Sequence, residues 1–132
     1  MRINYCGHCF AEITPEVQQC PFCGIVLQEW AYSLDYETRL IHTLGHPLAD
    51  VRMRAIIALG KRGDPQAADP LVRCALRHPI DVVEGLEIVA GLRRLRPGGA
   101  RSKALDRLAR DHPAHAVRRA AAEVLTGMAD KK

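Results

Sequence analysis

Two Cys-x2-Cys pairs stand near the start of the chain, Cys6 with Cys9 and Cys20 with Cys23, with ten residues between them. Each pair presents two thiolates from one side of a tight turn, and four such thiolates are what tetrahedral zinc demands. Four protein ligands leave no open position for water, so the expected role of the metal is structural. A segment of about 25 residues also holds too little core to fold unaided. Other thiol chemistries stay open: an iron site, disulfides, or a thiol–disulfide centre. The last uses one pair in a βαβ setting, which is absent from this sequence. His8 lies inside the first pair and is an alternative ligand to one of the cysteines. Cys74 lies far from both pairs and reads as a small buried residue.

The stretch that carries these cysteines, YCGHCFAEITPEVQQCPFCG, resembles the small zinc-ribbon module that opens many bacterial proteins, over about Asn4 to Gln28. The resemblance implies two hairpin-like knuckles and assigns residues 1–28 to the ribbon. Gly24 follows the second pair, where unrestricted φ is useful. Phe10 stands where such modules often carry Gly after the first pair, which puts that knuckle's geometry in question. Gln28 to Ser33 then joins the ribbon to the rest and carries Trp30 and Tyr32. A lone tryptophan at a junction packs one module on the other, or else stands exposed for a partner.

The remainder is organised around Asp50 to Arg77, which reads as one helix–turn–helix unit. Asp50 is placed as an N-cap, and Val51, Ala55, Ala58 and Leu59 recur at helical spacing with Ile56 beside them. Arg52, Arg54, Lys61 and Arg62 fill the polar side. Gly60 and Gly63 permit the left-handed residue that ends the helix, and Asp64-Pro65 starts the next. Pro70 should shift the start of that second helix or kink it. His46-Pro47, His78-Pro79 and His112-Pro113 recur 32 and 34 residues apart, each ahead of an amphipathic segment. That period is the mark of a solenoid. The histidines are expected to bond the last carbonyls of their preceding helices.

The DVRMRAIIALGKRGDP run resembles the short HEAT-like repeats of phycocyanobilin lyases and many bacterial proteins. The resemblance spans roughly Ser33 to Met128 and weakens in the second copy, where Val83-Glu84 replaces Arg52-Met53 and Gly85 and Gly91 interrupt the helix. It implies a mainly α fold: a short HEAT-like α-solenoid of about six helices over residues 33–128, behind a small N-terminal zinc ribbon. The helices are placed at 35–44, 50–62, 65–77, 81–95, 101–111 and 114–128. The last lacks a partner, so its face of Val117, Ala120, Ala121, Val124 and Leu125 is a candidate surface for self-association or for a partner protein.

Composition narrows the function. Only 5% of the residues are aromatic, so the core must be built from Leu, Val, Ile and Ala. No apolar run approaches the roughly 20 residues of a membrane span, and no signal-peptide pattern opens the chain. A cytoplasmic protein is expected. The first 30 residues set Arg2 against Glu12, Glu16 and Glu29, a net −2, which leaves +6 on the remainder of a chain of net +4. Four thiolates with one divalent cation would bring the whole to +2. Arg39, Arg73, Arg77, Arg107 and Arg110 fall opposite the apolar stripes of helices that line the concave face in HEAT-like stacks. With Trp30 they are the candidate partner-binding residues, for an acidic protein segment or for phosphates. Aromatics that could stack on bases are nearly absent from this strip. Asp106, Asp111 and Glu123 are scattered carboxylates, and no nucleophilic triad or phosphate loop is legible. The expectation is a non-catalytic protein–protein interaction adaptor with a structural zinc. A nucleic-acid-associated protein comes second, and a lyase-type or chaperone-like subunit third.

Overall fold

The computed structural model describes residues 4–129, so the frayed tail expected at Asp130-Lys131-Lys132 lies outside it. The ribbon has one two-stranded antiparallel sheet, β1 (Asn4–Tyr5) with β2 (Glu12–Ile13), in the register Asn4 to Ile13 and Tyr5 to Glu12. A second hairpin closes by an isolated bridge between Gln19 and Val26. Its own core is small: Cys6, Ile13 and Cys20, with Ile25 and Leu27 packed against them. Gln28 to Ser33, read as a joint, lies within a short helix, α1 (Leu27–Ser33).

Six longer helices follow: α2 (Tyr36–Thr43), α3 (Ala49–Arg62), α4 (Ala68–Arg77), α5 (Val82–Arg94), α6 (Gly99–Asp111) and α7 (His115–Ala129). α3, α5 and α7 pack side by side in one layer, and α4 lies against α6 in the other. Asp35, Asp64 and Asp81 each accept an amide of the following turn, which fixes three of the starts. Pro70 does displace its helix: a 3-10 turn over Pro65–Ala67 comes first, and Pro70 sits in the first turn of α4, where a missing amide hydrogen costs nothing. The core they share is aliphatic, with Leu44, Ile56, Leu59, Leu71, Ile88, Leu92, Leu95, Leu105 and Leu108 all fully buried.

Several expectations need correction. Asp50 does not cap α3. The cap position is Leu48, whose amide donates to Nδ1 of His46 at 3.0 Å. Nδ1 of His112 accepts the Ala114 amide at 3.0 Å in the same way. Of the three His-Pro histidines, His78 bonds a carbonyl of its preceding helix, that of Cys74 at 2.9 Å, while His46 and His112 accept the amide of the residue just before the next helix begins. Gly85 and Gly91 do not interrupt α5. An added Cβ on Gly60 would lie 2.9 Å from Cα of Gly91, so these two glycines let α3 and α5 touch backbone to backbone. Gly85 makes room for Val117 of α7. Only Gly63 takes the left-handed cap, at φ 72.

Arg52 is not on the polar surface either. It is buried, and its guanidinium turns back to the carbonyls of His46 at 2.8 Å and Pro47 at 3.1 Å. Arg118 clamps His112 and Pro113 in the same way, both at 2.8 Å. Six residues on from its His-Pro histidine, the middle copy has Glu84 where the others have Arg, one place beyond the Val83 aligned with Arg52 from the sequence. A carboxylate has no hydrogen to give a carbonyl. It takes the Nε hydrogen of Arg52 instead, at 2.6 Å. The sign change at this position adds an ion pair between the first repeat and the second.

Candidate functional site

The two knuckles are built alike. The Phe10 amide donates to the Cys6 carbonyl, and the Gly24 amide to the Cys20 carbonyl, both at 2.9 Å. Cys6 and Cys20 donate in turn to Ala11 at 3.0 Å and Ile25 at 2.9 Å. This geometry turns the paired side chains inward. Cys6 Sγ lies 3.8 Å from Cys23 Sγ, and Cys9 Sγ lies 3.7 Å from Cys20 Sγ, so each contact joins one knuckle to the other. All four sulfurs fall within 4.8 Å of one another. Zn–S bonds of about 2.3 Å at tetrahedral angles give S···S edges of about 3.8 Å. A disulfide needs sulfurs roughly 2.05 Å apart, and the cysteines are free thiols. The His8 and Cys9 amides point at Cys6 Sγ from 3.4 and 3.5 Å. His8 itself turns away toward Trp30 and His42, outside the thiol cluster.

The protonation of the cluster also fits a cation. Burial opposes the Cys20 thiolate, but amide hydrogen bonds from Cys23 and Phe22 outweigh it and hold that thiol down at about 6. The Ile25 amide favours the Cys23 thiolate, yet desolvation and the neighbouring sulfurs push it up to about 12. Four thiols this close cannot all ionise together, unless a positive charge sits among them.

Phe10 is the structural surprise of the ribbon. It adopts φ 66, left-handed, in the place where Gly24 adopts φ 80. An L-residue there carries a cost of roughly 1–2 kcal/mol. Its ring packs on His42 at 5.0 Å and His46 at 5.1 Å, so the strain is offset where the ribbon meets the helices. His42 Nε2 reaches the His8 carbonyl at 2.7 Å. Trp30 stands 5.2 Å from His42, and its ring fills the space beside Gly7. Nothing in the composition revealed this ring cluster. The signal lay in the small residues Gly7 and Gly45, which leave room for Trp30 and Phe10.

The candidate partner-binding arginines each have their own surroundings. Arg73 pairs with Asp69 at 3.0 Å, Arg110 with Asp106 at 2.9 Å, and Arg107 with Asp111 at 4.0 Å, each on its own helix. Arg39 lies over the Tyr36 ring and lines a cleft of about 540 Å³ that Trp30 also borders. Arg77 stands apart, in a cleft at the α4–α5 turn. A larger groove, about 870 Å³, runs between α5 and α7. Its apolar floor includes Leu86, Val89, Ala120 and Val124, and Arg93, Arg94 and Arg101 border it. Glu123, also on its border, is paired with Arg119 at 3.1 Å. On α7, Val117 and Ala121 are fully buried, while Ala120, Val124 and Leu125 are half-buried against the core.

Compared with known protein families, residues 25–91 match HEAT repeats. The chain belongs to this family, whose members are typically non-catalytic scaffolds for protein interaction. No curated protein and no solved structure matches. The four clustered cysteines could bind a metal ion beside the repeats. Among the described residues no helix is long and apolar enough to cross a membrane.

Proposed function

We propose that the protein is a non-catalytic adaptor: zinc on Cys6, Cys9, Cys20 and Cys23 holds the ribbon in shape, and the α5–α7 groove receives an acidic, amphipathic segment of a partner protein. The groove carries this reading. It joins an apolar floor to a border with three arginines, while its one carboxylate is already engaged. A segment with leucines on one face and carboxylates on the other matches both features. The expected cytoplasmic setting suits such a role. Against the nucleic-acid reading stands the pairing of Arg73, Arg107 and Arg110 with acids one turn away, which offsets these three charges on the opposite layer.

The test is purification of the tagged full chain from its native cell, followed by cross-linking of what is recovered. A partner that cross-links to α5 or α7 and is lost with Arg93→Glu and Arg94→Glu supports the proposal. Recovery unchanged by those substitutions overturns it. So does duplex DNA binding whose affinity falls steeply with salt, as phosphate contacts require.

A further inference from the structure

Cys74, His78 and Glu84 meet where α4 hands over to α5. Cys74 and His78 are one helical turn apart at the end of α4, and so lie on the same face. Glu84 comes from the first turn of α5, held there by the Asp81 cap on its amide at 2.9 Å. Cys74 Sγ lies 3.9 Å from His78 Nδ1, and Nδ1 lies 3.1 Å from Glu84 Oε2. The three ligand atoms fall within 4.8 Å of one another.

These spacings are close to the edges of a coordination tetrahedron. For zinc, bonds of about 2.3 Å to sulfur and about 2.05 Å to nitrogen or oxygen give S···N near 3.6 Å and N···O near 3.3 Å. A nucleophilic relay does not fit, because thiol and carboxylate both face the same imidazole nitrogen. A relay needs one on each. A second observation points to a cation. The Nδ1 hydrogen is directed at the Cys74 carbonyl, and Glu84 Oε2 is left buried without a hydrogen bond on a residue only 1% exposed. Arg52 engages the other oxygen, Oε1. A bare carboxylate oxygen in the interior carries a desolvation penalty that a cation would remove.

We propose that Cys74, His78 and Glu84 form a second cation site, suited to zinc, with three protein ligands and one open position. A cleft of about 490 Å³ lined by Arg52, Arg77, His78, Pro79, Ile80 and Asp81 reaches the site at His78, while Cys74 and Glu84 are buried behind it. Binding displaces the thiol proton and moves the imidazole hydrogen from Nδ1 to Nε2. The Arg52 guanidinium beside Glu84 opposes the incoming charge, so this site binds more weakly than the four-thiolate cluster. It stands apart from the adaptor reading, which involves neither these residues nor this cleft.

Native mass spectrometry of the zinc-saturated full chain tests it. Two zinc ions per chain are expected for the wild type, and one for Cys74→Ser and for His78→Gln. Cobalt added to protein whose ribbon is already zinc-loaded should give a charge-transfer band of one-thiolate intensity, lost in both variants. One zinc in the wild type overturns the proposal, whether or not the variants fold. Two zinc ions retained in folded variants overturn it as well.

Discussion

Arg52 and Arg118 occupy the same place in their repeats and make the same clamp on a His-Pro pair, yet they are not equivalent. Arg52 is also paired with the fully buried Glu84, whereas Arg118 is half-exposed and bonds carbonyls alone. Breaking a buried ion pair from one side leaves the other charge uncompensated, which costs about 3–5 kcal/mol. Arg52→Met should therefore lose about that much stability in urea unfolding, and Arg118→Met roughly 1–2 kcal/mol, the worth of its hydrogen bonds. The histidines of these clamps titrate in one direction. Burial lowers the pKa of both His46 and His112, with the Arg52 charge adding to the effect at His46 and that of Arg118 at His112. Protonation would also forbid Nδ1 from accepting its amide. The unfolded chain thus binds the extra protons first, and stability is full above about 6.5 and falls as the pH drops below it. A melting temperature that stays level from pH 7.5 to about pH 5 would contradict this. In Phe10→Gly the strained knuckle relaxes while the ring contact is lost. Zinc affinity by competition titration should hold or rise, and the near-ultraviolet dichroism of Trp30 should weaken.

The helices were legible in the sequence, because Val51, Ala55 and Leu59 or Val117, Ala121 and Leu125 mark one face by spacing alone. What their neighbours require was not. Gly91 reads as an interruption because a single segment shows only its helix propensity, and the reason for the glycine lies on another helix, at Gly60. Propensity favours Ala over Gly by about 0.5–1 kcal/mol, but overpacking costs about 1–3 kcal/mol. The atom that an added Cβ on Gly60 would meet is backbone, at 2.9 Å, which cannot turn aside. Gly60→Ala should therefore destabilise the chain in thermal unfolding, and a stabilising result would refute close α3–α5 packing. Asp50 was misplaced as a cap for a related reason. The helix starts two residues earlier than its apolar spacing suggests, so Asp50 lies inside the first turn, and Leu48, which the usual cap preferences do not include, takes the cap position. The buried Glu84 carried a signal that was there to be used: it is the one acidic residue at a position that is Arg in the other copies.

At the scale of the molecule, two parts with different sources of stability are joined by packed rings and by the bond from His42 to the His8 carbonyl. The ribbon's core is a few side chains and a set of thiols, while the repeats bury an aliphatic core of their own. The four clustered cysteines were plain from spacing, since Cys-x2-Cys carries its geometry locally. The ring cluster that docks the ribbon was not, since it joins residues more than thirty positions apart, such as His8 and His42. The same holds for the groove between α5 and α7, which exists only once the repeats are stacked. The most direct measurement is circular dichroism of the full chain before and after a strong zinc chelator, with zinc then restored. The account predicts that the near-ultraviolet signal of Trp30 collapses and returns, while the far-ultraviolet helical signal keeps almost all its strength. Loss of most of the helical signal on chelation would contradict it.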